Sequence, residues 1–303
     1  MSETMIGEIA ALGAALCWAL SAVLYKEALL KAKPFSANLV RLTSTSVILF
    51  LCLAAIGKLE VLTKLPIYSL FLACLSGIIG LGFGDILYMR SLKLMGVART
   101  VPITCTYPLF SLLFAAFIGR ENITFPLVLG TVIIVLGVWL ISQREKTDND
   151  EGKRKNLVRG VAGALATSIL WSISIMMMDA AVKLPATASI YDAFAVNAVR
   201  VMAIAFYLLV SAPIMDRELS FLKMRGRTLA SIILGGVVAL ALGWFFLAFS
   251  FLELPQSRAV PISSTTPLFS TLLGVLLLRE RFTAKNAVGS IIIVLGVFLI
   301  FTF

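Results

Sequence analysis

The chain has 303 residues, of which 60% are hydrophobic and 14% charged, with no histidine, a mean hydropathy of +1.00 and a formal net charge of +10. Soluble domains run at roughly 45–50% apolar and about 25% charged, which excludes an ordinary soluble enzyme; disordered and fibrous chains are excluded as well. The missing His also removes Ser-His-Asp and Cys-His triads and imidazole metal sites. Lys and Arg fall in short loops between apolar runs and form no face, so the charge points to membrane topology and not to nucleic acid.

A bilayer core of about 30 Å asks for about 20 apolar residues per helix. At that length the sequence predicts ten spans, over residues 7–28, 36–57, 67–91, 99–119, 124–142, 158–181, 189–212, 228–252, 258–278 and 283–302. The expected fold is all-α and integral to the membrane, a multi-pass protein of the cell membrane in contact with the lipid bilayer. Glu3 and Glu8 stand where a cleaved signal would carry a basic n-region, so the first span is expected to be retained. Trp18, Ser21 and Tyr25 share one face of that span, and a mid-span Trp departs from the interfacial belt. It either walls a cavity or packs in a core.

Charges inside spans are functional hypotheses by default. In the second span Arg41 follows Asn38 by three residues on one face, which suits an anionic group; the alternatives are snorkelling or a carboxylate partner. In the third, the GIIGLGFGD stretch at 77–85 lacks the strand and Lys of a phosphate loop. Its Gly80 and Gly84 read as close helix packing. Asp85, with Tyr88 one turn on, is the best candidate for a proton-coupling or cation-binding carboxylate, the competing role being a structural partner for Arg41. The fourth span carries Thr104, Tyr107, Pro108 and Ser111 on one face. Pro108 frees the Thr104 carbonyl, so this stripe is expected to line a central cavity, the alternative being hydroxyls that only satisfy their own helix. Pro102 and Pro261 are placed in first turns, where proline costs little.

The polar stretch Gln143 to Asn156 separates five spans from five, giving a first repeat at 1–142, a linker at 143–157 and a second repeat at 158–303. A shift of 159 lays Arg99–Glu121 on Arg258–Glu280 with 12 of 23 positions identical, and pairs Asn38 and Arg41 with Asn197 and Arg200. It also sets Ser263, Thr266, Pro267 and Ser270 against the stripe of the fourth span, and Trp244 against Asp85. A shift of 153 pairs Trp18 and Ser21 with Trp171 and Ser174. Five spans per copy is an odd number, so the second copy is expected to be inverted, a recurrent transporter plan with its site near the midplane. Asp179 and Asp192 lie near span ends, where pairing with Lys183 or solvent is cheap.

Alternate loops hold 19 Lys and Arg against five on the opposite side, Lys58, Lys64, Arg120, Lys183 and Arg258. The positive-inside rule then places both termini outside. Cys17, Cys52, Cys74 and Cys105 lie inside apolar runs without zinc or disulfide spacing, and read as small buried hydrophobes.

The Trp18-to-Lys26 and Pro34-to-Arg41 spacings, the doubled RTVPITCTYPLFS and RAVPISSTTPLFS runs, and Glu121 and Glu280 closing their spans resemble the drug/metabolite transporter superfamily. The likeness is to its ten-helix EamA-type members and covers essentially the whole chain. The resemblance implies a cavity enclosed by helices 1–4 and 6–9, with helices 5 and 10 outside it. It further implies a small-molecule substrate such as an amino acid, sugar or nucleobase, often moved outward, and termini in the cytoplasm, against the loop count. The expected protein is a secondary transporter working by alternating access, not an enzyme, with no cofactor or metal. Protons are the candidate coupling ion, and the chain is a monomer or homodimer. Four-helix relatives couple protons through a mid-span Glu, whereas Glu8 here opens its helix, and Lys26 is matched in the second half by Asp179. Two other readings compete. A lipid flippase on the same fold would use Arg41 or Arg200 for a lipid phosphate. An intramembrane aspartyl protease would use Gly82-Phe83-Gly84-Asp85 and Tyr191-Asp192, but the motif order is reversed.

Overall fold

The computed structural model describes residues 3–95, 100, 103–119, 121–142, 153–185, 188–278 and 283–302, and among them every regular element is helical. In chain order these are α1 (Glu3–Lys31), α2 (Pro34–Ala55), the short α3 (Glu60–Lys64), α4 (Ile67–Ser76), a π-helical segment (Gly77–Gly84) and α5 (Asp85–Met95). There follow α6 (Tyr107–Phe117), α7 (Phe125–Ser142), α8 (Lys153–Lys183), α9 (Ile190–Met215), a short 3-10 helix (Ser220–Lys223) and α10 (Gly226–Gly236). A second π-helical segment (Val237–Gly243) leads into α11 (Trp244–Glu253), α12 (Gln256–Ser263), α13 (Thr266–Leu278) and α14 (Ala284–Thr302). Of the linker, residues 143–152 lie outside the described residues, as do Arg99, Pro102, Arg120 and Glu280.

Local chemistry sets several of the boundaries. Pro34 opens α2 at the position where a missing N–H is harmless. Ser189 and Asp192 form a reciprocal capping box at the start of α9, and Asp179 pairs with Lys183 at 2.6 Å one turn on. π-Helix is rare and normally a single bulged turn. Here two runs occupy positions related by the shift of 159, Gly77 onto Gly236 and Gly84 onto Gly243.

Among the described residues eight helices are long and apolar enough to cross a membrane, and the protein is an all-α multi-pass membrane protein. The count of ten spans is not confirmed. The predicted spans at 99–119 and 124–142 appear among the described residues as the shorter apolar helices Tyr107–Phe117 and Phe125–Leu140. In the first of these, Cys105 and Thr106 form a turn ahead of Pro108, which has no N–H with which to continue the ladder.

Side-chain size follows the solvent. On α1, Ala11, Ala14, Ala15 and Ala19 are wholly buried while Ile9 and Leu16 point out, the arrangement expected where the exterior is as apolar as the interior and close backbone approach drives packing. Ile67, Phe117, Phe125, Phe206, Ile214 and Phe298 are all at least two-thirds exposed, which in water would mark interaction surface and here marks lipid contact. Cys52 is exposed on α2 and the other three thiols half-buried, so the cysteines are free but not core residues, since an apolar helix buries only one side.

The chain forms two compact units, one of residues 1–78 and 177–254, the other of 79–176 and 255–303. Each takes helices from both halves of the sequence. In the first, α1 packs on α10, the second π-segment and α11, and α9 packs on α2 and α4. In the second, α7 packs along α14, where a Cβ built on Gly137 would lie 2.8 Å from the Gly289 carbonyl and one on Gly296 2.8 Å from that of Gly130. Only glycine permits that approach.

Just past the end of α9, Asp216 ties the first turn of α2 to the short 3-10 helix Ser220–Lys223. It is buried and accepts hydrogen bonds from the Ser36 hydroxyl (2.8 Å), the Ser220 amide (2.7 Å) and the Ser220 hydroxyl (2.9 Å). Burial pushes its carboxyl up, but these donors together outweigh it and hold the pKa below the usual value. Lys33 lies 3.9 Å away and pairs with Glu218 at 2.5 Å; that bond raises the ammonium pKa and lowers the Glu218 carboxyl.

Candidate functional site

Asp85 is the first residue of α5, at the point where π-geometry returns to α, and its side chain is 8% exposed. One carboxylate oxygen accepts a hydrogen bond from Trp171 Nε1 at 3.1 Å. Trp171, on α8, is the centre of an aromatic group. The Tyr88 ring lies 5.2 Å from it, tilted by 49°, and the Tyr107 ring 6.2 Å away at 88°. All three rings are half-buried. The approach requires Gly84, since a Cβ there would sit 2.9 Å from Trp171 Cδ1.

The hydroxyl stripe of this unit is built differently from an unbroken helix face. Between Thr104 and Tyr107 the chain makes a turn, and between Ser263 and Thr266 it does the same, each break preceding its proline. The freed Thr104 carbonyl lies 3.2 Å from the Ser168 hydroxyl, and that of Ser263 accepts from Thr266 Oγ1 at 3.1 Å. Ser263 itself donates to Val260, and Ser111 accepts from Gln256 Nε2 at 2.6 Å. Thr104, Ser111, Ser174 and Ser263 are buried, while Thr266 and Ser270 are half-exposed. Because α12 begins at Gln256, Pro261 is its sixth residue and lies past the first turn, not within it as expected from the sequence.

The first unit holds the remaining predicted residues. Trp18 donates from Nε1 to the Ala239 carbonyl at 3.2 Å and meets Trp244 edge-on, 5.1 Å between ring centroids. A Cβ on Gly243 would lie 2.8 Å from Trp18 Nε1, so both tryptophans of the repeat press on the glycine that ends a π-segment. Ser21 spends its hydroxyl on the Trp18 carbonyl. Asn38 accepts from Arg41 Nε at 2.8 Å, and the Arg41 guanidinium lies 5.8 Å from the Tyr25 ring centre. Asn197 donates to the Leu240 carbonyl, inside the π-segment whose ladder frees such groups. Arg200 is fully buried, 3.8 Å above the Trp244 ring, with Nε donating to Ser76 at 2.8 Å.

Three contributors escape a reading by composition. Ser168 and Ser172 brace the broken helix by hydroxyl bonds to carbonyls 64 and 65 positions away, which no local pattern announces. Glu121 accepts from the amides of Gln256 and Ser257, both at 2.9 Å, and so anchors the start of α12 by its negative charge. Its place in the doubled motif was the available signal. Among the described residues no group of His, Cys, Asp and Glu is arranged to hold a metal ion.

The sequence matches the EamA-like transporter family over residues 5–143 and 158–302. A protein of Archaeoglobus fulgidus named "Uncharacterized transporter" is 24% identical and aligns with 98% of this chain and 98% of its own. "Glucose uptake protein GlcU" of Bacillus subtilis is 27% identical over 78% of each chain. A solved crystal structure, 18% identical, matches with a TM-score of 0.78 over 97% of this chain and 95% of its own, a likeness of fold alone.

Proposed function

The chain belongs to the EamA-like transporter family, and on that premise we propose that it is a secondary transporter that carries a small polar metabolite by exposing a binding site alternately to the two sides of the membrane. Its repeats, 1–142 and 158–303, act as inverted copies; the family match in two segments, 5–143 and 158–302, supports this division. Coupling requires an ion that binds the two states with different affinity. Asp85 fills that role. The observation that carries the proposal is a carboxylate 8% exposed within an apolar span, hydrogen-bonded to Trp171 and bordered by half-open rings. A carboxylate kept there at a desolvation cost marks a functional position.

The test is uptake of labelled amino acids, sugars, nucleobases and organic cations into proteoliposomes, with a pH gradient and a membrane potential imposed separately. Saturable flux of one class, accelerated by the pH gradient, is expected. Asp85→Asn leaves the protein folded and inserted and abolishes the acceleration; full pH-driven flux in that variant removes Asp85 from coupling. The expected outward direction rests on the family resemblance, while the Bacillus relative is named for uptake, so gradients of both signs are applied.

A further inference from the structure

We infer that the group formed by Asp85, Trp171, Tyr88 and Tyr107 binds an organic cation, an ammonium or alkylated ammonium, as the substrate of the transporter; this deepens, and rests on, the reading given under the proposed function. Four features carry it.

The three rings are half-buried and stand in different planes, Tyr88 at 49° and Tyr107 at 88° to Trp171, so they present more than one π-face. The negative face of an aromatic ring attracts a cation, most strongly for Trp and most where water is excluded. A formal negative charge stands at the rim, since Asp85 bonds the indole edge of the same Trp.

Several hydroxyls carried by the neighbouring turns of α8 and by the break before α6 already donate to main-chain carbonyls. Ser172 donates toward the carbonyls of Ser168 and Tyr107, Thr106 toward Ile103, Thr167 toward Gly163, and Ser168 lies against those of Ile103 and Ala164. A neutral polyol needs several donors and acceptors side by side. This lining offers ring faces and a carboxylate, and both favour positive charge.

The repeat supplies the fourth feature. The shifts of 153 and 159 carry Trp171 onto Trp18 and Asp85 onto Trp244. At that equivalent place in the first unit the two rings meet 5.1 Å apart, and the chain's own cation, the Arg200 guanidinium, lies 3.8 Å over Trp244. One copy of the arrangement thus takes a side-chain cation on an indole face. The other has exchanged that indole for a carboxylate and left its rings half open.

The experiment is isothermal titration of the purified wild-type protein in detergent with three probes: choline, its uncharged isostere 3,3-dimethyl-1-butanol, and glucose. Choline is expected to bind saturably, the isostere roughly tenfold or more weakly and glucose not at all. Trp171→Leu and Asp85→Asn each weaken choline by about tenfold, while Trp171→Phe, which keeps a ring, loses less. Glucose or the isostere binding as tightly as choline overturns the inference, and that comparison needs no variant. Unchanged choline affinity in Trp171→Leu overturns it as well. Choline binding without flux in proteoliposomes upholds the site and defeats the transport reading; glucose flux without choline binding does the reverse.

Discussion

The guanidinium of Arg200 has no exposed surface, and removing an ion from water costs several kcal/mol even after relaxation. What offsets this at Arg200 is planar. The Trp244 ring lies under the plane of the group, a contact of about 2 kcal/mol when desolvated, and Ser76 takes the Nε proton. Lysine keeps the charge but has neither the flat face nor the Nε donor. Arg200→Lys is therefore expected to melt well below the wild type in detergent, with a loss of roughly 2–4 kcal/mol, and below Arg200→Met, which carries no ion to desolvate. Equal melting of the Lys variant and the wild type would show that the stacking contributes nothing. The equivalence of Arg41 and Arg200 was visible in the repeat, but their difference was not. Arg41 is half-exposed over Tyr25 and Arg200 is fully buried against Trp244, a contrast set by which ring each guanidinium meets.

Two helices that sequence periodicity presents as continuous are interrupted, and proline is the cause at both. Pro108 and Pro267 cannot donate to the carbonyls four residues back, and the chain answers with two-residue turns at 105–106 and 264–265. The prolines made the freed carbonyls predictable, but not the hydroxyls that meet them, Ser168 in one case and Thr266 in the other. The π-segments were invisible beforehand, because their glycines and small apolar residues satisfy an α-helical pattern equally well. Between helices, the Asp216 tie gives a test by pH. Its folded carboxyl has a pKa below the ordinary 3.8, so its stabilisation is complete above that value and is lost as pH falls through the depressed one. Ser36→Ala should lower stability by about 1–2 kcal/mol at pH 7. The gap between variant and wild-type melting temperatures should close once the pH drops below the carboxyl's range. A gap that persists unchanged in acid would assign the Ser36 effect to packing alone.

Membrane spans and internal repetition were plain from hydropathy and from 12 identities in 23 positions. Partnership was not. An apolar stripe says that a face is covered but not by what, and so nothing local foretold that Trp18 would meet Ala239 and Gly243, or Trp171 meet Asp85. Each compact unit draws on both halves of the chain, and this arrangement bears on how the protein is made. Trp18 and its acceptor are 221 residues apart, about 10–40 s of synthesis at roughly 5–20 residues per second. During that interval α1, α2 and α4 stand in the bilayer or its insertion machinery with their alanine and serine faces uncovered, waiting for α9 to α11. Fragments 1–142 and 158–303 produced separately should each lack cooperative thermal unfolding and be degraded, whereas the two produced together should co-purify through a tag on one. Cooperative unfolding of either fragment alone would mean that a half can complete itself. If neither can, nascent chains interrupted before residue 254 have no finished unit to protect them, and membrane quality control, rather than folding of the early helices, decides their lifetime.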